Sequence, residues 1–443
     1  VEEKRNEDGK KVKEELDQGG VFNKAVSRRD LLRMAGAGGV GLLLGAGGGM
    51  LASGGIERMT GSLPLFAADS REDVIPFYGA HQAGIVTRPQ AFVYFAAFDL
   101  VTDRLADVRD LFRMWTEAAA RVCEGKSVGK ESSNPNLPPV DTGETIGLSP
   151  SKLTLTFGLG PSFFVKDGTD RYGLGAKRPE MLADLPAFSG DELQPEWCGG
   201  DLCVQACADD PQVAFHAVRN LARIARGVAV LRWAQAGFQR TDNADPNKGT
   251  PRNLMGFKDG TGNPDINDPE QMNQIVWAQP SDGPSWMRNG SYMVVRRIQI
   301  RIEVWDRTTL QEEEATFGRH RDSGAPLGSK NEFDPLDLNK RGPDGRMVIP
   351  ENSHVRLAHG DGGVKILRRS YSYTDGMNLK TGQLDAGLLF ICFQRDPRRQ
   401  FIPIQQRLAK NDALNEYIVH VGSAVFACLP GVRKGGYIGE TLF

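Results

Sequence analysis

Gln90–Leu100 reads QAFVYFAAFDL, and Asp103–Gly125 follows it as DRLADVRDLFRMWTEAAARVCEG. The first stretch is a short apolar run rich in aromatics, which is the composition of a strand. In the second, Leu105, Val108, Leu111, Phe112, Trp115, Ala118 and Ala119 recur at helical spacing and form one apolar stripe. Leu153–Gly158 and Leu202–Ala206 again have strand composition. Pro211–Arg226 predicts an amphipathic helix, opened by Asp209-Asp210-Pro211 with acids at its positive end and proline in its first turn. Val228–Gln239 returns as a strand. A similar order recurs downstream. Tyr292–Trp305 alternates like a strand, Asp306–Thr316 reads as a capped helix, and Ala386–Phe393 reads as a buried strand. Gln400–Gly422 carries helix signals, with Asn411 as a candidate cap.

Two strand–helix–strand halves predict an α+β chain of two ferredoxin-like sandwiches with antiparallel sheets. The polar Asn/Asp/Pro/Gly segment Asp242–Pro251 sets the expected boundary, giving halves of 69–245 and 246–443. Arg321–Met347 is a second polar stretch, too long for a mere connector, and is expected to line or cover a site. The edges of such sheets offer a route to self-association into a homo-oligomer.

The formal net charge of -2 argues against a dedicated nucleic-acid binder, whose footprint is a strongly basic face. The cysteines are Cys123, Cys198, Cys203, Cys207, Cys392 and Cys428, with no CxxC pair and no zinc spacing. Buried thiols acting as small hydrophobes are the expectation for them.

Residues 1–68 read differently from the rest. Residues 1–26 are polar and charged, the composition of a disordered segment. Ser27-Arg28-Arg29-Asp30-Leu31-Leu32-Arg33 then precedes a weakly hydrophobic, Gly-rich stretch, the signature of twin-arginine export. Phe66-Ala67-Ala68 resembles a cleavage site. Gly36, Gly38 and Gly41 spell GxGxxG, but no strand precedes them and no ribose-binding acid follows, so a dinucleotide site is not expected. The twin-arginine translocase carries folded cargo to the periplasm or the exterior, and such cargo commonly holds a cofactor loaded beforehand.

Three further segments carry chemistry. Gly256-Phe257-Lys258-Asp259-Gly260-Thr261-Gly262-Asn263-Pro264 sets one acid among glycines, whose missing side chains let a bulky group approach. An EF-hand reading of this loop fails, because Pro264 sits where the invariant glycine is needed. Glu351-Asn352-Ser353-His354-Val355-Arg356-Leu357-Ala358-His359 and Ile366-Leu367-Arg368-Arg369-Ser370-Tyr371-Ser372-Tyr373 follow. In this order, and with Gly318-Arg319-His320 and Leu414-Asn415-Glu416-Tyr417, they resemble the dye-decolourising peroxidase family. The resemblance runs from about Pro76 to the C-terminus and points to the exported, deferrochelatase-like subgroup.

That resemblance implies one haem b per chain, bound mainly by the C-terminal half, with His354 as its iron ligand. His359 is the rival ligand, His216 lies on a helix face without motif support, and His81 and His420 are expected to be structural. Asp412 is the implied carboxylate partner of the axial imidazole. On the opposite face the resemblance implies Asp259 as proton carrier, Arg368 as fixed positive charge with Arg369 as its rival, and Asn263 as organiser of water. Arg319 is implied to pair with a haem propionate, with Gly260, Thr261 and Gly262 close to the cofactor and Phe390 and Phe393 packed on the porphyrin. The implied reaction reduces hydrogen peroxide and oxidises dyes, phenols or other one-electron donors. Tyr373 and Trp277 are the first candidates for a surface electron relay. Iron release from haem, with iron-uptake partners, and a haem-free ferredoxin-like module are the competing readings.

Overall fold

The computed structural model describes residues 73–241, 244–245, 249–379 and 381–443. The twin-arginine stretch and the GxGxxG glycines lie outside the described residues. The strands are β1 (Phe92–Leu100), β2 (Thr154–Leu159), β3 (Leu202–Ala208), β4 (Ala229–Phe238), β5 (Ser291–Ile300), β6 (Leu367–Arg368), β7 (Tyr371–Met377), β8 (Leu384–Gln394) and β9 (Ile418–Cys428). The helices that matter here are α1 (Leu105–Cys123), α2 (Pro211–Ile224), α3 (Leu310–Phe317), α4 (His354–His359) and α5 (Phe401–Asn411).

The strands of the first half stand in the order β4-β1-β3-β2, with α1 and α2 as the two crossovers. The second half repeats it as β9-β5-β8-β7, with α5 leading into β9. Each is the ferredoxin-like arrangement that the element order predicts. The strand pairings are antiparallel. The two sheets meet at both edges, through Gly158↔Cys428 and Leu159↔Ala427 on one side and Phe238↔Ser372 on the other. A ring of strands results, in which these sheet edges pair with each other.

Strand alternation divides the core. Val93, Phe95 and Ala97 of β1 meet Trp233, Met293, Leu389, Ile391 and Phe426 inside the ring. Ala96, Phe98 and Leu100 point outward, where α1 and α2 supply Leu111, Trp115, Val213 and Leu221. The Asp210 carboxylate caps α2 by accepting from the backbone N–H groups of Gln212 and Val213. The cysteines are free, and all but Cys198 are buried. Among the described residues no helix is long and apolar enough to cross a membrane.

Two boundaries differ from the sequence reading. The Tyr292–Trp305 strand stops at Ile300, and Ile302–Trp305 is a single helical turn whose Trp305 indole donates to the Met255 carbonyl at 3.1 Å. The Gln400–Gly422 helix ends at Asn411. There the Asp412 carboxylate accepts from Leu414 N–H and starts a tight turn, after which β9 begins at Ile418. Ile418, Val419 and Val421 are β-branched and fill a buried strand better than a helix face.

At Gly387, β8 approaches the backbone of β5 closely. A Cβ there would lie 1.9 Å from the Ile298 carbonyl oxygen, so backbone would have to move. Gly387→Ala is therefore expected to destabilise the protein by about 1–3 kcal/mol. Thermal unfolding that leaves the midpoint within a degree of wild type would contradict this account of the β5–β8 contact.

Candidate active site

Helix α4 opens with His354. Its Nδ1 lies 2.6 Å from Asp412 Oδ2, across the gap between α4 and the turn that ends α5. Asp412 is buried, and its other oxygen accepts from Leu414 N–H at 2.9 Å, so one carboxylate starts the turn and holds the imidazole. Burial alone would lower the His354 pKa, but the Asp412 charge and hydrogen bond outweigh it and hold the ring above its ordinary value. With Nδ1 engaged, Nε2 is the nitrogen left for a partner on the open side. Gly318 ends α3 at φ 78°, and a Cβ there would meet Val355 Cγ1 at 2.6 Å, so only glycine lets α3 pack this closely on α4. Arg356 donates to the Leu338, Ile349 and Pro350 carbonyls and ties the long 321–347 loop and the residues just after it to the base of α4.

On the other side, the Gly256–Pro264 loop folds back on Pro251–Asn253. Asp259 N–H donates to the Pro251 carbonyl at 2.8 Å, and Asn253 N–H donates to the Phe257 carbonyl at 2.9 Å. Gly256 and Gly260 take φ of 84° and 136°, conformations that favour glycine. The loop presents Asp259 Oδ1 to Arg368 Nη1 at 2.5 Å. Arg368 sits on β6, where Asn263 accepts from its N–H at 3.1 Å and donates to its carbonyl at 2.8 Å. Arg369, one residue on, points the other way and donates to the Thr87 carbonyl and Gln90 Oε1. Alternation thus separates the two arginines that the motif leaves as rivals.

His354, Asp259 and Arg368 line one cavity. Ile298, Leu388 and Phe390 from the sheet, and Ile404 and Leu408 from α5, give it apolar walls. Gly260, Thr261, Gly262 and Arg319 stand on the same cavity. Burial lowers the Arg319 pKa, and its Nη1 donates to the Gly324 carbonyl at 2.7 Å and the Glu332 carbonyl at 3.1 Å. An adjoining polar cavity is lined by Gln239, Thr250, Asn263 and Ser370, and Asp259 and Arg368 line both. Asn263 therefore reaches the main cavity only through the Arg368 backbone it clamps.

Some expectations need correction. Phe393 is 0% exposed and packs inside the ring with Leu389 and Ile391, whereas Phe390 faces the cavity. Three residues apart in a strand, the two rings must take opposite faces. Neither relay candidate is at the surface. Tyr373 is 0% exposed beneath Arg297, and Trp277 is 6% exposed and stacked on His81 at 3.8 Å. His359 shares the cavity, but the carboxylate contact belongs to His354. His81 and His216 make structural contacts, to the Asn289 carbonyl and to Asp141. Asp141, Glu144 and His216 converge as metal ligands might, but backbone N–H groups, Thr142 and Arg219 already occupy their oxygens. His420, expected to be structural, lines the cavity wall. Its neighbours there, Ile298 and Leu388, were also missed, although strand alternation marks Leu388 once Phe390 is placed.

Peroxide chemistry asks for a proton carrier and a fixed cation opposite an axial imidazole, and this cleft belongs to the class of sites found in haem peroxidases. Residues 82–239 match the Dyp-type peroxidase, N-terminal family, and residues 250–433 match the Dyp-type peroxidase, C-terminal family. The chain is 39% identical to the deferrochelatase of Escherichia coli (strain K12) over 426 residues, covering 94% of this chain and 96% of the relative. Ferric DtpA from Streptomyces lividans superposes with a TM-score of 0.77 at 39% identity, over 86% of this chain and 99% of that one. A DyP-type peroxidase from Cellulomonas bogoriensis gives 0.76 at 39% identity, over 85% and 99%. The chain belongs to the Dyp-type peroxidase family. It is a haem-dependent oxidoreductase that acts on peroxide.

Burial and the Arg296 charge lower the His420 pKa to about 3, with Asp191 Oδ1 at 3.8 Å from its Nδ1. An unfolded histidine titrates near 6.5, so as pH falls from there toward 3 the unfolded chain gains a proton that the folded chain does not take up. Stability is therefore lost through that window. His420→Gln is expected to flatten the loss of thermal stability of the haem-loaded protein between about pH 6.5 and 4. Parallel pH profiles for variant and wild type would refute it.

Proposed function

We propose that this chain reduces hydrogen peroxide with electrons from two successive one-electron donors, dyes or phenols among them. Its haem b, one per chain, would be taken by the cavity lined by His354 of α4 and by Ile298, Arg368 and Phe390 of β5, β6 and β8. The observation that carries the reading is that His354 and the Asp259–Arg368 pair face a common cavity. The cleft suits the group. Apolar side chains can take a flat ring, Nε2 of His354 can take its metal, and the Arg319 guanidinium can take a ring carboxylate. The glycines at 260 and 262 leave room beside Thr261.

When bound, haem supplies the iron that receives peroxide and holds its two oxidising equivalents. His354 anchors it, and Asp412 keeps the Nδ1 proton in place and raises the basicity of the ring. Asp259 accepts the proton of the inner peroxide oxygen and delivers it to the outer one, so that water can leave. Arg368 carries permanent charge beside Asp259 and stabilises the departing oxygen. Asn263 holds the Arg368 backbone in register. The polar cavity behind this pair offers peroxide a route that avoids the apolar wall.

We also read residues 1–68 as an address for the twin-arginine translocase, and 69–245 and 246–443 as the two halves of the exported protein. Its destination is then the periplasm or the exterior. Replacing both Arg28 and Arg29 by Lys is expected to leave the protein in the cytoplasmic fraction. Unchanged export would remove that part of the reading.

Asp259→Ala and Arg368→Ala are each expected to slow the first absorbance change on stopped-flow mixing with peroxide, by about 10²- to 10⁴-fold for the acid, with haem still bound. His354→Ala is expected to weaken or abolish the Soret band of the purified protein. Wild-type rates in both distal variants would reject these roles. Free iron assayed after turnover distinguishes this reading from the competing one, release of iron from haem.

A further inference from the structure

We propose that Glu332 is a positioning residue for the distal acid and the latch of the cavity rim, one half-buried carboxylate joining the 321–347 loop to the segment that carries Asp259. The inference rests on the peroxidase reading above and adds a residue to it. Glu332 lies 73 positions beyond Asp259 in the chain, on a polar loop with no regular structure. Its side chain is 9% exposed. Oε2 accepts from Lys258 Nζ at 2.5 Å, and Oε1 accepts from Thr261 Oγ1 at 2.9 Å and also from Thr250 Oγ1.

The placement of these donors matters. Lys258 and Thr261 flank Asp259 on its own loop, and Thr250 precedes Pro251, whose carbonyl receives the Asp259 N–H. Both arms of the loop that aims the acid therefore end on one carboxylate. Burial works against a charge at Glu332, but the bonds from Lys258, Thr250 and Thr261 outweigh it and hold the carboxyl below its ordinary value.

Two consequences bear on the site. Lys258 lines the cavity, so without Glu332 its ammonium would be released beside Asp259 as a competitor of Arg368. Engaged by Glu332, it leaves the acid to a single cation. The loop is also pinned on both sides of the cavity. Its Glu332 carbonyl accepts from Arg319, its Leu336 lines the cavity, and its Leu338 carbonyl accepts from Arg356 of α4. Glu332 is the only side-chain carboxylate in these contacts, so neutralising it loosens the distal anchor and leaves the Arg356 anchor intact.

The test is Glu332→Gln in the haem-loaded protein, alone and combined with Asp259→Asn. Alone, it is expected to raise KM for peroxide about tenfold while kcat at saturating peroxide stays within about twofold. It is also expected to speed haem transfer to apomyoglobin about tenfold. In the Asp259→Asn background the peroxide effect should vanish, because a residue acting through Asp259 has nothing left to position. Wild-type KM and haem transfer in Glu332→Gln, or a peroxide effect of undiminished size in the Asp259→Asn background, would overturn the proposal. If Asp259→Asn itself leaves the peroxide step unchanged, the proton-carrier role has failed, and haem transfer still decides the latch. Should Glu332→Gln not fold, Thr250→Val removes one donor of the three. The same pattern at about threefold is expected from it, and wild-type behaviour would count against the latch just as firmly.

Discussion

The 2.6 Å contact between His354 Nδ1 and Asp412 Oδ2 is the constraint on which the rest of the site depends. It joins the short α4 to the turn between α5 and β9, a junction that the Ala413 N–H to Asn352 carbonyl bond and the Arg407 bond to the Leu357 carbonyl also hold. It also decides which imidazole nitrogen faces the cavity. A ligating histidine needs its second nitrogen fixed, because a ring free to rotate or change tautomer presents its lone pair only part of the time. Asp412 can hold the ring only because it is itself held, by Leu414 N–H on its other oxygen. A residue that looks like an ordinary helix-terminal acid therefore does two things with two oxygens.

The opposite face is built by different means. The interruption between β6 and β7 lets consecutive arginines serve separate purposes. Arg368 points outward to Asp259, and Arg369 points inward to Thr87 and Gln90 of the first half. Arg369 thereby anchors the strand that carries Arg368 to the first half of the chain, a structural task close to a chemical one. Asn263 fixes the β6 side of that break by bonding both backbone groups of Arg368. The distal pair is set by backbone restraints on both partners, and each guanidinium is used once.

The apolar side of the cleft follows from the closure of the ring. Phe390 and Phe393 both look like core in the sequence, and only the pleat of β8 sorts one to the cavity and the other to the interior. The same sorting buries Tyr373 under Arg297 and removes it from any surface role. Electrons from bulky donors would thus have to enter through other residues or through the cavity mouth.

Much of this chain could be read without coordinates. The repeated strand and helix patterns determined the ferredoxin-like halves, because periodicity reports which side of an element must leave water. The ordered motifs around Asp259, His354 and Arg368 determined the family, since they lie on short segments whose local chemistry is visible in one dimension. The end of α5 was not legible, because Ile418–Val421 serves a helix or a strand until a neighbouring strand is there to pair with it. Nor was the choice between Phe390 and Phe393, the entry of His420 into the cavity wall, or the convergence of Lys258, Thr250 and Thr261 on Glu332. Those are contacts between residues far apart in the chain, and sequence pattern records periodicity and local spacing. Which distant groups become neighbours is decided only when the ring closes and every buried charge has to find a partner.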